Sequence, residues 1–159
     1  MELNQIHELY LSCSAISTDT RNIETGAMFF ALKGPSFNGN KYALNAIDKG
    51  AKFAIVDEVS VPLNDKIIQV DDVLTTLQDL ARFHREYLGL PIIALTGSNG
   101  KTTTKELINK ILQQRYKTIA TNGNLNNHIG VPLTLLRMTI DTEIGIVEMG
   151  ANHAKEIEL

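Results

Sequence analysis

Short runs of consecutive apolar residues punctuate the chain, and helically spaced apolar positions fill the stretches between them. Ala27-Met28-Phe29-Phe30-Ala31-Leu32 reads as a buried strand closed by Lys33-Gly34-Pro35. Tyr42, Ala43, Ala46 and Ile47 share one helical face, and Gly50 stands where a helix cap belongs. Residues 53–56 and 66–70 are two more strands. Val73, Leu74, Leu77, Leu80, Ala81 and Leu88 then mark a longer amphipathic helix. Gly89-Leu90-Pro91 ends it and sets the expected domain boundary, with residues 1–88 on one side and 89–159 on the other.

The second stretch opens with Ile92-Ile93-Ala94-Leu95-Thr96, a continuous apolar run that predicts a strand buried on both faces. A helix follows, with Leu107, Ile108, Ile111 and Leu112 expected to face inward. Next come a short strand over 118–121, an asparagine-rich loop, a helix over about 129–137 and a strand over 144–147. Strands alternating with helices predict parallel pairing through right-handed crossovers. Three parallel strands make a poor complete sheet, and residues 154–159 read as a helix just beginning. A truncated second domain is therefore expected.

Composition narrows the function classes. Hydrophobic residues make up 43% of the 159 and charged residues 21%, which fits a globular chain with a real core. The formal charge of −3 provides no global field toward nucleic acid or an anionic membrane. Any phosphate bound must be held by local geometry. The single cysteine, Cys13, excludes an intrachain disulfide and a thiolate zinc site. The N-terminus carries no secretory signature and no stretch is long enough to span a bilayer, so a reducing cytoplasm is the simplest expectation.

The clearest chemistry lies in Gly97-Ser98-Asn99-Gly100-Lys101-Thr102-Thr103, between an apolar strand and an amphipathic helix. Gly97 permits a sharp exit from the strand, and Gly100 lets backbone N–H groups approach phosphate oxygens. Those donors sit at a helix N-terminus, where unpaired amides and the dipole favour an anion. Lys101 supplies a cation, and the Thr102 hydroxyl can ligate the accompanying magnesium ion. The first glycine of the common G-x-x-x-x-G-K-[ST] pattern would fall on Leu95, so the match to that pattern is imperfect. The fold class expected is α/β: a small N-terminal α/β domain, then the first part of a P-loop parallel-sheet ATPase domain.

Glu148 directly follows the last apolar run, at the edge where open α/β sheets bind ligands. A carboxylate there can hold magnesium opposite Thr102, or simply face solvent. Thr121-Asn122-Gly123-Asn124-Leu125-Asn126-Asn127-His128 is unusually polar for an internal connection. Its asparagines suit amide or phosphate recognition, or a turn held by side-chain-to-backbone bonds.

With these residues in hand, the chain resembles the Mur ligase family of peptidoglycan synthesis over essentially its whole length. The resemblance rests on Thr18-Asp19-Thr20-Arg21, Phe29-Phe30-Ala31-Leu32-Lys33-Gly34, the phosphate loop, the stretch from Gly123 to Thr134, and Glu148-Met149-Gly150-Ala151-Asn152-His153. It implies a UDP-sugar-binding first domain, a central ATP-binding domain cut short here, and a third domain absent from this chain. It implies an ATP- and Mg2+-dependent carbon–nitrogen ligase acting through an acyl phosphate. The Asn-Asn-x-Ile-Gly-x-Pro-Leu-Thr stretch is similar to the members that join D-alanyl-D-alanine to UDP-N-acetylmuramoyl-tripeptide.

By matched position, residues 97–103 would hold ATP, and Thr102 and Glu148 the metal. Thr18, Asp19, Thr20, Arg21, Asn126 and Asn127 would face the UDP-linked substrate, and Lys101, Asn127 and His153 would line the reacting centre. Where the family often has Asp-Gly-His, this chain reads Asn38-Gly39-Asn40, which argues against that segment's supplying charge. A cytoplasmic protein with no nucleic-acid or membrane partner is expected, monomeric at full length. This truncated form is expected to be inactive and, with apolar sheet surface uncovered, to favour self-association or a loosely ordered second half. An amino-acid-adding Mur ligase, a different P-loop kinase or switch, and a non-catalytic UDP-sugar- or nucleotide-binding module stay open as alternatives.

Overall fold

Ala27 through Leu32 are each at most 6% exposed, and the run is buried because its strand lies inside a sheet. The structure is a computed structural model that describes residues 1–62 and 64–150. Its first sheet is four-stranded and parallel, in the order β1 (Ile16–Ser17), β2 (Met28–Phe30), β5 (Phe53–Val56), β6 (Ile67–Gln69). Register aligns Phe29 with Ala54 and Ile55 with Ile68. Helix α2 (Ala43–Asp48) lays Ala43 and Ala46 on one face of this sheet with Phe29, Ala54 and Val56. Gly50, at φ 106°, closes that helix as expected.

Two features of this region lie outside the sequence reading, although Leu3, Ile6 and Tyr10 of the first stand at helical spacing. Helix α1 (Leu3–Leu11) is capped where Gln5 Oε1 accepts from the Glu2 amide at 3.0 Å, and it buries Ile6 and Tyr10. A two-residue hairpin, β3 (Lys33–Gly34) with β4 (Phe37–Asn38), leads into a 3-10 turn over Gly39–Tyr42. A side chain at Gly39 would collide with the Leu32 carbonyl and the Ala31 backbone. The turn delivers Asn40, 3% exposed, into the interior. There its amide nitrogen donates to Asp57 Oδ1 at 2.8 Å and its oxygen accepts from the Asp57 amide at 3.0 Å. Asp57 Oδ2 in turn accepts from the Val73 amide at the start of α3 (Val73–Leu88). Asn38-Gly39-Asn40 thus serves a buried polar framework.

Two compact units divide the chain, Met1–Asp79 and Leu80–Leu159, and the division falls inside α3. In the second unit, β7 (Ile92–Leu95), α4 (Lys101–Leu112), β8 (Thr118–Ala120), α5 (Gly130–Leu135) and β9 (Ile144–Glu148) form a parallel sheet in the order β7-β9-β8. The core joins Val131, Met138 and Val147 with Ile92, Ile119 and Leu135. Helix α5 is shorter at both ends than the sequence suggests.

Two expectations fail here. Strand β7 is not buried on both faces: Ile93 and Ala94 are exposed. The reason is its place in the sheet, since among the described residues it pairs only with β9. The strand that is enclosed is β9, whose residues Gly145 to Glu148 are all buried. Leu107 and Ile111 also do not face inward, being 57% and 70% exposed. The inner face of α4 is instead turned by Lys105, which is fully buried, and by Asn109, whose Oδ1 accepts from the Thr118 hydroxyl at 2.7 Å.

Candidate functional site

Glu148 ends the central strand and is 1% exposed, so its carboxylate must be compensated from nearby. Three elements supply partners. From the first turn of α4, the Thr102 hydroxyl donates to Oε1 at 3.2 Å. From the asparagine-rich loop, Asn126 Nδ2 donates to the same oxygen at 2.8 Å. From the inner face of α4, Lys105 Nζ stands 3.8 Å from Oε2. The backbone around Glu148 is pinned as well: its amide donates to Thr121 Oγ1 at 2.9 Å, and the amides of Met149 and Gly150 donate to the carbonyls of Leu95 and Asn126.

The loop from Gly97 to Gly100 is exposed throughout. Gly97 and Gly100 take φ of 136° and 77°, and a side chain at either would meet only open space. Glycine is therefore required here by backbone conformation, while the open space in front of it is where an anion can approach the α4 N-terminus. Lys101 folds its ammonium back onto the Gly97 carbonyl, bridging the loop. Lys101, Thr102 and Thr103 form the first turn of the 12-residue α4, long enough for its terminal amides to act together.

The donor set suits a hard divalent cation. Glu148 Oε2 is buried and accepts no hydrogen bond among the described residues. A carboxylate with one oxygen free of hydrogen bonds and the other bonded to a threonine hydroxyl matches magnesium, which takes one or two protein oxygens and completes its shell with water and phosphate. No larger group of His, Cys, Asp and Glu able to hold a metal occurs among the described residues. Asn126 and Asn127 play different parts. Asn126 touches Glu148, whereas Asn127 Oδ1 accepts from the amides of Ile129 and Gly130 at the entrance to α5. His153, expected at the reacting centre, lies outside the described residues, as does Asn152.

Thr18, Asp19, Thr20 and Arg21 come together in the first unit, along a cavity of about 510 Å3 whose other walls include Phe37 and Tyr42. Both aromatic rings are about half exposed. The Arg21 guanidinium grips Asp19, with Nη2 2.6 Å from Oδ2. Hydrogen bonds from that side chain and from the Arg21 amide hold the Asp19 carboxyl down at about 2. Phe37 is a cavity-lining residue absent from the sequence reading, and Tyr42, read there only as part of a helical face, ends the 3-10 turn half exposed and lines the same cavity. Lys105 is the other residue missed.

Two family profiles match this chain in turn. The sequence profile of the "Mur ligase family, catalytic domain" matches residues 12–85, and that of the "Mur ligase middle domain" matches residues 95–159. Among curated proteins, UDP-N-acetylmuramoyl-tripeptide–D-alanyl-D-alanine ligase of Bacillus subtilis is 44% identical over 146 residues, covering 91% of this chain. The Escherichia coli ligase of the same name is 42% identical over 149 residues and 92% of this chain. The chain spans 32% of the length of each. Among solved structures, a MurF from Acinetobacter baumannii superposes with a TM-score of 0.84 at 35% identity, covering 98% of this chain and 37% of that one. A MurF ligase from Thermotoga maritima, determined in complex with ADP, superposes with a TM-score of 0.81 at 31% identity, covering 93% of this chain and 34% of that one.

Proposed function

Because this chain belongs to the Mur ligase family, we propose that it supplies the UDP-sugar-binding and phosphate-binding parts of an ATP-dependent ligase that joins D-alanyl-D-alanine to UDP-N-acetylmuramoyl-tripeptide. The observation that carries the reading is the convergence of Thr102 and Asn126 on Glu148 at the mouth of the phosphate loop. The names of relatives 34–44% identical to this chain support the dipeptide-adding assignment. A 2,6-diaminopimelate-adding ligase structure at 23% identity and a TM-score of 0.50 speaks to fold alone.

In this reading the Gly97–Thr103 backbone amides and the Lys101 ammonium hold the ATP phosphates. Thr102 and Glu148 would hold magnesium, which would supply charge neutralisation to the phosphates; the γ-phosphoryl group passes from ATP to the tripeptide carboxylate with ADP leaving, and the incoming amine displaces phosphate from the acyl phosphate. Protein groups do the positioning. Asn126 fixes the Glu148 rotamer, and Asn127 orders the loop that borders the substrate. Asn127 and His153 are assigned to the reacting centre by position. Thr18, Asp19, Thr20 and Arg21 take the UDP moiety, with Arg21 as the cation available to its diphosphate and Phe37 or Tyr42 as an apolar wall for the base. The domain boundary is placed at residues 88–89, at the end of α3. A cytoplasmic enzyme, monomeric at full length and without nucleic-acid or membrane partner, belongs to the same reading; the net charge of −3 gives no global attraction toward nucleic acid.

Calorimetric titration tests this. Separate binding of Mg-ADP and of UDP-N-acetylmuramoyl-tripeptide is expected, with Lys101→Ala abolishing only the first and Arg21→Ala weakening only the second. A folded chain that binds neither ligand overturns the reading.

A further inference from the structure

Lys105 has no part in the reaction derived above, yet it is the one fully buried lysine among the described residues. A lysine is rarely enclosed unless its charge is paired and its three protons are placed. Here each requirement is met from a different element. Nζ donates to the Thr121 carbonyl at 2.7 Å and lies 3.5 Å from the Gly123 carbonyl. It stands 3.1 Å from Glu106 Oε1 on its own helix and 3.8 Å from Glu148 Oε2 at the end of β9. Thr121 and Gly123 begin the asparagine-rich loop, and Asn126 in that loop donates to the other oxygen of the same carboxylate.

We propose that Lys105 is a positioning residue for the nucleotide site: its ammonium ties the helix that follows the phosphate loop to the start of the asparagine-rich loop, and so holds Glu148 between Thr102 and Asn126. Glu148 Oε1 is held by two neutral donors, whereas Oε2 has only the Lys105 charge nearby and no hydrogen bond among the described residues. At 3.8 Å the ammonium orients Oε2 electrostatically while leaving its lone pairs free of hydrogen bonds among the described residues. Closer contact would close them. Two carbonyls hold Nζ, so the ammonium cannot advance onto the carboxylate without giving them up. The arrangement keeps a buried acid compensated and still able to bind metal. This inference rests on the assignment of Glu148 to the metal, and its effect on Glu148 is that of a residue one shell out from the ion.

The test is hydrogen exchange and calorimetry on the whole chain. Lys105→Met keeps the volume and removes the charge and donors. It should weaken Mg-ADP binding about 10- to 100-fold, as loss of outer-shell partners typically does. It should also speed amide exchange over residues 122–130, leaving the first unit's exchange unchanged. Lys105→Arg, which keeps charge and donors, should recover part of both. If wild type binds Mg-ADP and K105M matches it in affinity and in loop exchange, the positioning role is wrong. If wild type itself fails to bind, the functional reading fails instead. Should K105M not fold, lysine 15N spectra of the unaltered chain decide: a slowly exchanging ammonium signal that shifts on adding Mg-ADP is expected, and lysine signals that all exchange at solvent rates overturn the proposal.

Discussion

The Thr102 hydroxyl lies 3.2 Å from Glu148 Oε1, so a residue in the first turn of α4 and one at the end of the central strand share a single hydrogen bond. It brings the phosphate-binding end of the helix and the buried carboxylate into one site from positions 46 residues apart in the chain. A metal ion touching one of them is within reach of the other.

Replacing the carboxylate by its amide isolates that relationship. Glu148→Gln keeps the shape and the Asn126 contact but removes the charge that a divalent cation needs. The Mg2+-dependent part of ADP affinity should fall by about tenfold or more, while ADP binding measured in EDTA should change little. A variant that keeps the full Mg2+ dependence would remove Glu148 from the metal site.

Gly100 begins α4 at φ 77° with open space around it. For Gly100→Ala the left-handed conformation costs about 1–2 kcal/mol, and chemical denaturation of the second unit should show that loss. Nucleotide affinity should drop with it, because relaxing the strain turns the loop amides away from the anion. An alanine variant of unchanged stability would mean the loop adopts another conformation.

The Asp19–Arg21 pair gives a titration with a defined endpoint. Asp19 is depressed from 3.8 to about 2 by the Arg21 hydrogen bonds. Its contribution is therefore fully present above 3.8 and is lost as pH falls through about 2. In Arg21→Ala the carboxyl 13C midpoint should rise toward 3.8, and UDP-substrate affinity should fall by about tenfold. A midpoint that stays low after the substitution would assign the shift to some other group.

His84 bears on stability in the opposite pH range. Burial lowers its pKa below 6.5, only partly offset by the Met138 carbonyl 2.9 Å from Nε2. An unfolded ring protonates near 6.5 and the folded ring at a lower pH, so the unfolded chain binds more protons in between. Stability of the second unit should therefore decline as pH drops from 7 to 5. His84→Gln should flatten that slope, and an unchanged slope would place the titrating group elsewhere.

What could be read from the sequence follows from how many residues each feature spans. The phosphate loop is legible because polyphosphate requires two glycines, a lysine and a threonine in a fixed order, and Glu148 because it ends an apolar run. Strand β1 and the β3–β4 hairpin are two residues per strand, too short for any period to show. The inner face of α4 is a subtler failure. Positions 105, 108, 109 and 112 make a complete helical stripe, but two of its four members are Lys105 and Asn109. Counting apolar residues alone adds Leu107 and Ile111 to Ile108 and Leu112, and so shifts the inner face away from Lys105 and Asn109. Strand β7 shows a related difference: its composition is that of a central strand, yet among the described residues it pairs on one side only, with β9. Composition reports how apolar a strand is, while position in the sheet decides how enclosed it becomes.

The order β7-β9-β8 has a consequence for how the chain acquires its structure. Neither β7 nor β8 pairs with the other; each finds its described ladder only on β9. During synthesis from the N-terminus, the first sheet has all four of its strands once Gln69 has emerged. Among the described residues the second has no ladder until β9 follows. The carboxylate at the centre of the nucleotide site arrives on the strand that zips the second sheet together. Among the described strands, assembly of that sheet and of the proposed site thus both wait for β9, and a ribosome stalled before residue 144 would display the Gly97–Gly100 loop with none of the described ladder formed beside it.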